Sequence, residues 1–157
     1  MLEWIKQLLI YALLIGGVIG AVIFVPKMFS KVAVSEGYND IPGIEQTSDY
    51  GLDPSVTLAQ LRVGDGIAWR LPSGASEDVG LGWFAGGPGD VVEINAEGKL
   101  LVNGTAFARP GLIPLPPSRL VVPAGYFFAV TALHQLDSIA HGPFAQAILR
   151  GRVRGLP

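Results

Sequence analysis

Hydrophobic and polar positions fall into three regimes along the chain. From Gln7 to Pro26, QLLIYALLIGGVIGAVIFVP, twenty residues pass without a charge, and Lys6 and Lys27 bracket them. A helix of that length rises about 30 Å, the thickness of a bilayer hydrocarbon core. Trp4 and Phe29 stand near its two ends, where aromatic belts form. A cleaved signal peptide would carry a shorter apolar run ending in a small-x-small site, whereas VIGAVIFVPKMF continues apolar. Residues 1–32 therefore read as an uncleaved single-pass anchor with its flanks. The lysines on both sides leave its orientation open. Gly16 and Gly20 have the four-residue spacing that lets two membrane helices approach closely.

The second regime, residues 33–53, is a polar connector. The third, residues 54–157, is a run of short extended signals. GDGIAWRLP opens on a turn and continues as a strand, and DVVEI and KLLVNG flank NAEG as a hairpin. RLVV, YFFAVTA and FAQAILRGRVRGL read as further strands, with Pro110, Pro114, Pro116 and Pro117 in a loop before them. No segment beyond the anchor has a long amphipathic helical period. The pattern predicts a mainly β protein: one transmembrane helix, then an all-β barrel or folded sheet.

Charge narrows the function classes. The chain has 157 residues and a net charge of −2, which points away from a nucleic-acid partner. Residues 33–100 hold eleven acids and three bases, while residues 101–157 hold Asp137 and five arginines. There is no cysteine, so disulfides and thiolate metal sites are excluded. No cofactor and no metal is implied. GGPGD lacks the Lys-Ser/Thr and the following helix of a phosphate-binding loop. His134 and His141, with Asp137, fall short of three convergent zinc ligands. Ser138 beside Asp137 and these histidines does not make a triad by adjacency, because a triad is a geometry. Arg150, Arg152 and Arg154 alternate, so in a strand they share one face as a basic ridge. That ridge reads either as a solvated face or as a contact for lipid headgroups or an acidic partner.

Taken in order, the boxes resemble the type I signal peptidase family, and within it the branch that matures conjugative pilins. LRVGDGIAW matches the first Gly-Asp box through Gly64 and Asp65. GGPGDVVEI matches the Gly-x-Pro-Gly-Asp box through Gly86, Pro88, Gly89 and Asp90. KLLVNGTAF is similar to the hairpin return, and VPAGYFFAV to a later strand. DSIAHGPF resembles the Asp-Ser-Arg-x-x-Gly-Pro box through Asp137, Ser138, Gly142 and Pro143. The resemblance covers most of the chain after about Gly51. It implies a serine nucleophile activated by a lysine whose pKa burial depresses. The lysine belongs four residues before Gly86, where Gly82 stands. The serine belongs three before Pro54, where Gly51 stands; a shifted register brings in Asp53. Ile139 replaces the arginine of the last box.

Both positions of the dyad are thus glycine, and the resemblance implies a membrane-anchored pseudoenzyme whose β domain is periplasmic or otherwise extracytoplasmic. Its cleft candidates are Gly82, Trp83, Phe84 and Asp53, lining a strand to which an extended peptide could add. Its partners would be the lipid bilayer and other membrane or secreted proteins. Two other readings stay open: a displaced dyad using Ser48 or Ser55 with an unidentified base, and a structural subunit whose contacts are the anchor and the arginines.

Overall fold

The computed structural model describes residues 2–28, 31–32, 50–71, 79–107, 116–131 and 137–154. The expectations for Ser48, His134, Pro110 and Pro114 lie outside these. The chain opens with α1 (Leu2–Met28), whose backbone runs helical through all twenty uncharged residues. Counted over the described side chains alone, no helix is long and apolar enough to cross a membrane.

Among the described residues eleven strands follow: β1 (Lys31–Val32), β2 (Tyr50–Asp53), β3 (Gly66–Arg70), β4 (Val79–Gly86), β5 (Val91–Ile94), β6 (Leu100–Val102), β7 (Thr105–Ala106), β8 (Ser118–Val121), β9 (Tyr126–Val130), β10 (Phe144–Ala145) and β11 (Leu149–Arg154). A single turn of helix, α2 (Ser138–His141), precedes β10. The strands form a seven-stranded sheet in the order β1-β2-β11-β3-β4-β9-β10 and a four-stranded sheet in the order β7-β6-β5-β8. The mainly β expectation holds, and so does the NAEG hairpin, with Ile94 opposite Leu100.

Two expectations need correction. Tyr50–Asp53, inside the expected connector, is a strand of the large sheet, because β2 pairs with both β1 and β11. FAQAILRGRVRGL is not one strand: a 3-10 turn at Gln146–Ile148 divides β10 from β11. β11 also carries a bulge between Leu149 and Gly151. Gly151 has a φ of +147°, and a Cβ there would meet the Asp53 carbonyl oxygen, so the close crossing of β11 and β2 requires glycine.

The large sheet is covered on both faces, which is why GIAWR and YFFAV read as nearly unbroken apolar runs. On one face Ile67, Trp69, Phe84, Phe127 and Ala129 pack under Leu58 and Leu61. On the other, Ala85, Phe128 and Val130 meet Val92, Ile94, Leu100 and Val102 of the small sheet. Trp69 is fully buried and stacks obliquely on Phe144, ring centroids 5.9 Å apart.

Candidate functional site

The Gly-Asp boxes are structural knots, each tying a turn to a neighbouring strand. In the first, Asp65 Oδ2 accepts from the Arg62 amide at 2.9 Å, closing the turn. Its backbone then docks on β4: the Gly64 amide donates to the Phe84 carbonyl, and the Phe84 amide to the Asp65 carbonyl, both at 2.8 Å. In the second, Asp90 Oδ2 accepts from the Gly87 amide at 2.8 Å across the Pro88-Gly89 turn. Asp90 Oδ1 accepts from Asn103 Nδ2 at 2.8 Å, and Asn103 Oδ1 accepts from the Val91 amide at 2.9 Å. The box and the Val-Asn-Gly return thus hold each other. Asn103 takes a positive φ of 50° to do so, a conformation asparagine tolerates better than most residues.

The third knot is buried. Asp137 is wholly inaccessible, and Oδ1 caps α2 by accepting from the Ile139 and Ala140 amides at 2.9 and 3.2 Å. Its Oδ2 accepts from the Thr131 amide at 3.0 Å and the Thr131 hydroxyl at 3.3 Å. Ser138 Oγ accepts from the Ala129 amide at 3.0 Å. Together they fasten the end of β9. Gly142, at the C-terminal cap of α2, has a φ of +78° and donates its amide to the Ser138 carbonyl. Ile139, where the box would carry arginine, packs against the apolar cluster between the sheets.

This knot lies beside Gly82. β4 runs between β3 and β9, with Gly82 opposite Ile67 and Trp83 opposite Val130. A Cβ at Gly82 would stand 2.5 Å from the Val130 carbonyl oxygen, 2.9 Å from Trp69 Cη2 and 3.2 Å from Thr131 Cγ2. At Gly80 it would lie 2.7 Å from Trp69 Cε2. The glycines of β4 therefore accommodate the Trp69 indole, which fills the volume that side chains at 80 and 82 would need. The expected cleft residues are corrected accordingly. Gly82 is buried, Phe84 is a core residue at 2% exposure, and half-buried Trp83 packs towards the opposite face. β4 pairs with β3 along Val79–Trp83 and with β9 along Trp83–Gly86.

Gly51 lies in β2 opposite Arg154. A Cβ there would meet only Arg154 Cβ, at an ordinary 3.5 Å. Register places Gly51 and Gly82 on the same face of the sheet, but β11 and β3 lie between them. Three inter-strand steps amount to about 14 Å, so the two positions do not form a dyad.

The ground between them holds an ion-pair cluster. Asp53 Oδ2 is 3.0 Å from Arg154 Nη2 and 3.8 Å from Arg152 Nη2. Arg152 Nη1 is 3.8 Å from Asp65 Oδ2. The expected three-arginine ridge is corrected: the bulge between Leu149 and Gly151 breaks the alternation at Arg150, and Arg152 and Arg154, which do share a face, are partly compensated by acids on neighbouring strands. Asp53 Oδ1 also accepts from the Ser55 hydroxyl at 2.7 Å and the Ser55 amide at 3.2 Å. The Ser55 hydroxyl, then Arg154, hold the Asp53 carboxyl below its usual pKa. A carboxylate so stabilised is a weaker base, which counts against Ser55–Asp53 as a displaced dyad. Its folded pKa is depressed, so its contribution to stability is present above the unfolded value and lost as pH falls through the folded one. Urea midpoints should therefore separate wild type from Asp53→Asn at pH 7, and the gap should narrow as pH falls below the ordinary carboxyl value of 3.8.

No residue type on β4 announces Trp69 as its neighbour, and Thr131 and Asn103 gave no separate signal beyond the strand and the Val-Asn-Gly return. Gly16 and Gly20 have open space around them. Among the described residues there is no metal-holding cluster.

No family model matches the chain, and no curated protein matches it in sequence. Among solved structures, a signal peptidase I from Enterococcus faecalis aligns with a TM-score of 0.49 at 20% identity, over 61% of this chain and 98% of that one.

Proposed function

We propose that the protein is a membrane-anchored, signal-peptidase-like domain without peptidase chemistry, serving as a subunit of an extracytoplasmic membrane assembly. The observation that carries this is the filled space at Gly82. The position matching the family's lysine has no room for any side chain, because Val130 and Trp69 already occupy it. The resemblance itself is supported by the three knots, which bring the box residues into mutual contact although up to thirteen positions separate them in sequence. Anchoring is supported by the helical backbone across residues 7–26 and by exposed apolar side chains such as Leu13 (74%) and Val18 (62%). Burial of Gly82 and Phe84 favours a subunit over a binder of free extended peptide at these residues.

The test uses the full-length protein in detergent. Incubation with leader peptides should leave them intact, while native mass measurement should find partner chains in fixed stoichiometry. Cleavage that disappears on Ser55→Ala would overturn the proposal in favour of a displaced serine.

A further inference from the structure

We propose that the arginine-bearing surface of β11, two strands inward from the β1 edge of the large sheet, is a headgroup-binding surface for anionic phospholipid, with Arg150, Arg152 and Arg154 supplying the phosphate contacts. The inference rests on the anchored reading and adds a ligand to it. The first observation is the tether. Only residues 29 and 30 separate the end of α1 from β1, which spans at most about 11 Å. β1 pairs with β2, Lys31 opposite Gly51, and β2 pairs with β11, Gly51 opposite Arg154. α1 also touches β2 directly. A helix seated in a bilayer therefore holds this edge of the sheet close to the lipid surface, and Arg154 is two strands, about 10 Å, inward from β1.

The second observation is the chemistry of the arginines. Arg152 and Arg154 flank buried Val153 and project from one face, while Arg150 stands at the bulge that precedes them. Arg150 is exposed, and the side chains of Arg152 and Arg154 are 40% and 54% exposed. Arg152 sits 3.8 Å from each of its acids, beyond hydrogen-bond length, so its guanidinium keeps donors for a further acceptor. A phosphodiester is the acceptor whose geometry fits the guanidinium fork. The three arginines against Asp53 and Asp65 leave a local surplus of one positive charge in a chain of net charge −2, and in sequence Lys27 and Lys31 bracket the tether. An acidic protein would suit the same charge, but the short tether makes lipid the partner always within reach.

The full-length protein is reconstituted in vesicles of phosphatidylcholine and phosphatidylglycerol, re-extracted in mild detergent, and its retained lipid quantified. Phosphatidylglycerol should be enriched over its share in the vesicles. Arg150→Gln with Arg154→Gln should lower the enrichment about five-fold per arginine, the scale of one basic residue at an anionic surface. Arg150→Gln alone, at an exposed position, should show its share without disturbing the Asp53 ion pair. Absence of enrichment, or enrichment removed only by Lys27→Gln and Lys31→Gln, overturns the proposal. Equal loss to inorganic phosphate as competitor would assign the arginines to free phosphate and overturn it likewise. Extraction of the chain from vesicles by alkaline carbonate is the separate failure: it would sink the anchor itself, whereas an anchored chain without lipid preference sinks only this surface.

Discussion

Gly82→Lys, alone or with Gly51→Ser, lowers the melting temperature of the full-length protein by about 10–20 °C and produces no cleavage of leader peptides. The reason is steric rather than chemical. A new Cβ at 82 meets a backbone carbonyl at 2.5 Å, and the Val130 carbonyl belongs to a strand held on both sides. Overpacking of this kind costs about 1–3 kcal/mol or more, and each kcal/mol moves the midpoint of a domain this size by about 4–8 °C. Trp69→Ala in the same background relieves the aromatic half of the clash and leaves the carbonyl half, so stability is not restored. Gly51→Ser alone should be nearly silent, since its Cβ meets ordinary van der Waals contact. Thermal melts of the four variants check the set. A stable Gly82→Lys protein that cleaves a leader peptide would show that the fold still holds a working base position.

Asp137→Ala should be comparably damaging although the residue touches no reacting atom. Four donors converge on its carboxylate: two amides of α2, and the amide and hydroxyl of Thr131. Loss of a helix cap costs about 1 kcal/mol, and each donor left buried without an acceptor about 1–3 kcal/mol. A fall of about 3 kcal/mol or more is expected, read as a shift in denaturant midpoint at unchanged slope. Asp137→Asn keeps one acceptor oxygen and should lose roughly half as much. If Asp137→Ala were as stable as wild type, the clasp at the end of β9 would not hold that strand in place.

These two residues also mark how far the sequence alone could be read. The strands carried by alternation or by strong turns were legible: DVVEI, the NAEG hairpin and YFFAV all stand where the pattern put them. Asp65, Asp90 and Asp137 were legible as box residues because their spacing to glycine and proline is local. What they bind was not, since Asp90 finds Asn103, and Asp65 meets Arg152, through strand pairings that spacing does not encode. Gly82 was legible as a departure from the family pattern, but its neighbour was not. Trp69 lies thirteen positions earlier, and only the pairing of β3 with β4 lays its indole over Gly80 and Gly82. The arginine alternation holds for Arg152 and Arg154 but not across the bulge to Arg150, and the partial neutralisation by Asp53 needed β2 to be a strand, where the polar composition suggested a connector.

The place of β11 has a consequence for how the molecule is made. The last described strand of the chain is inserted between β2 and β3, near the middle of the large sheet. β2 precedes it by about a hundred residues, so the pairing that joins the two ends of the domain is among the most non-local in the fold. Chains dominated by such pairings fold slowly, because the loop must close before the contact rewards it. During synthesis β2 and β3 would wait with unpaired edges until the strand carrying the arginines emerges, a state open to association with other chains. A ribosome stalled before Leu149 would thus present a helix ready for insertion and a half-built sheet. Residues 149–154 decide whether the domain closes on itself or on a neighbour.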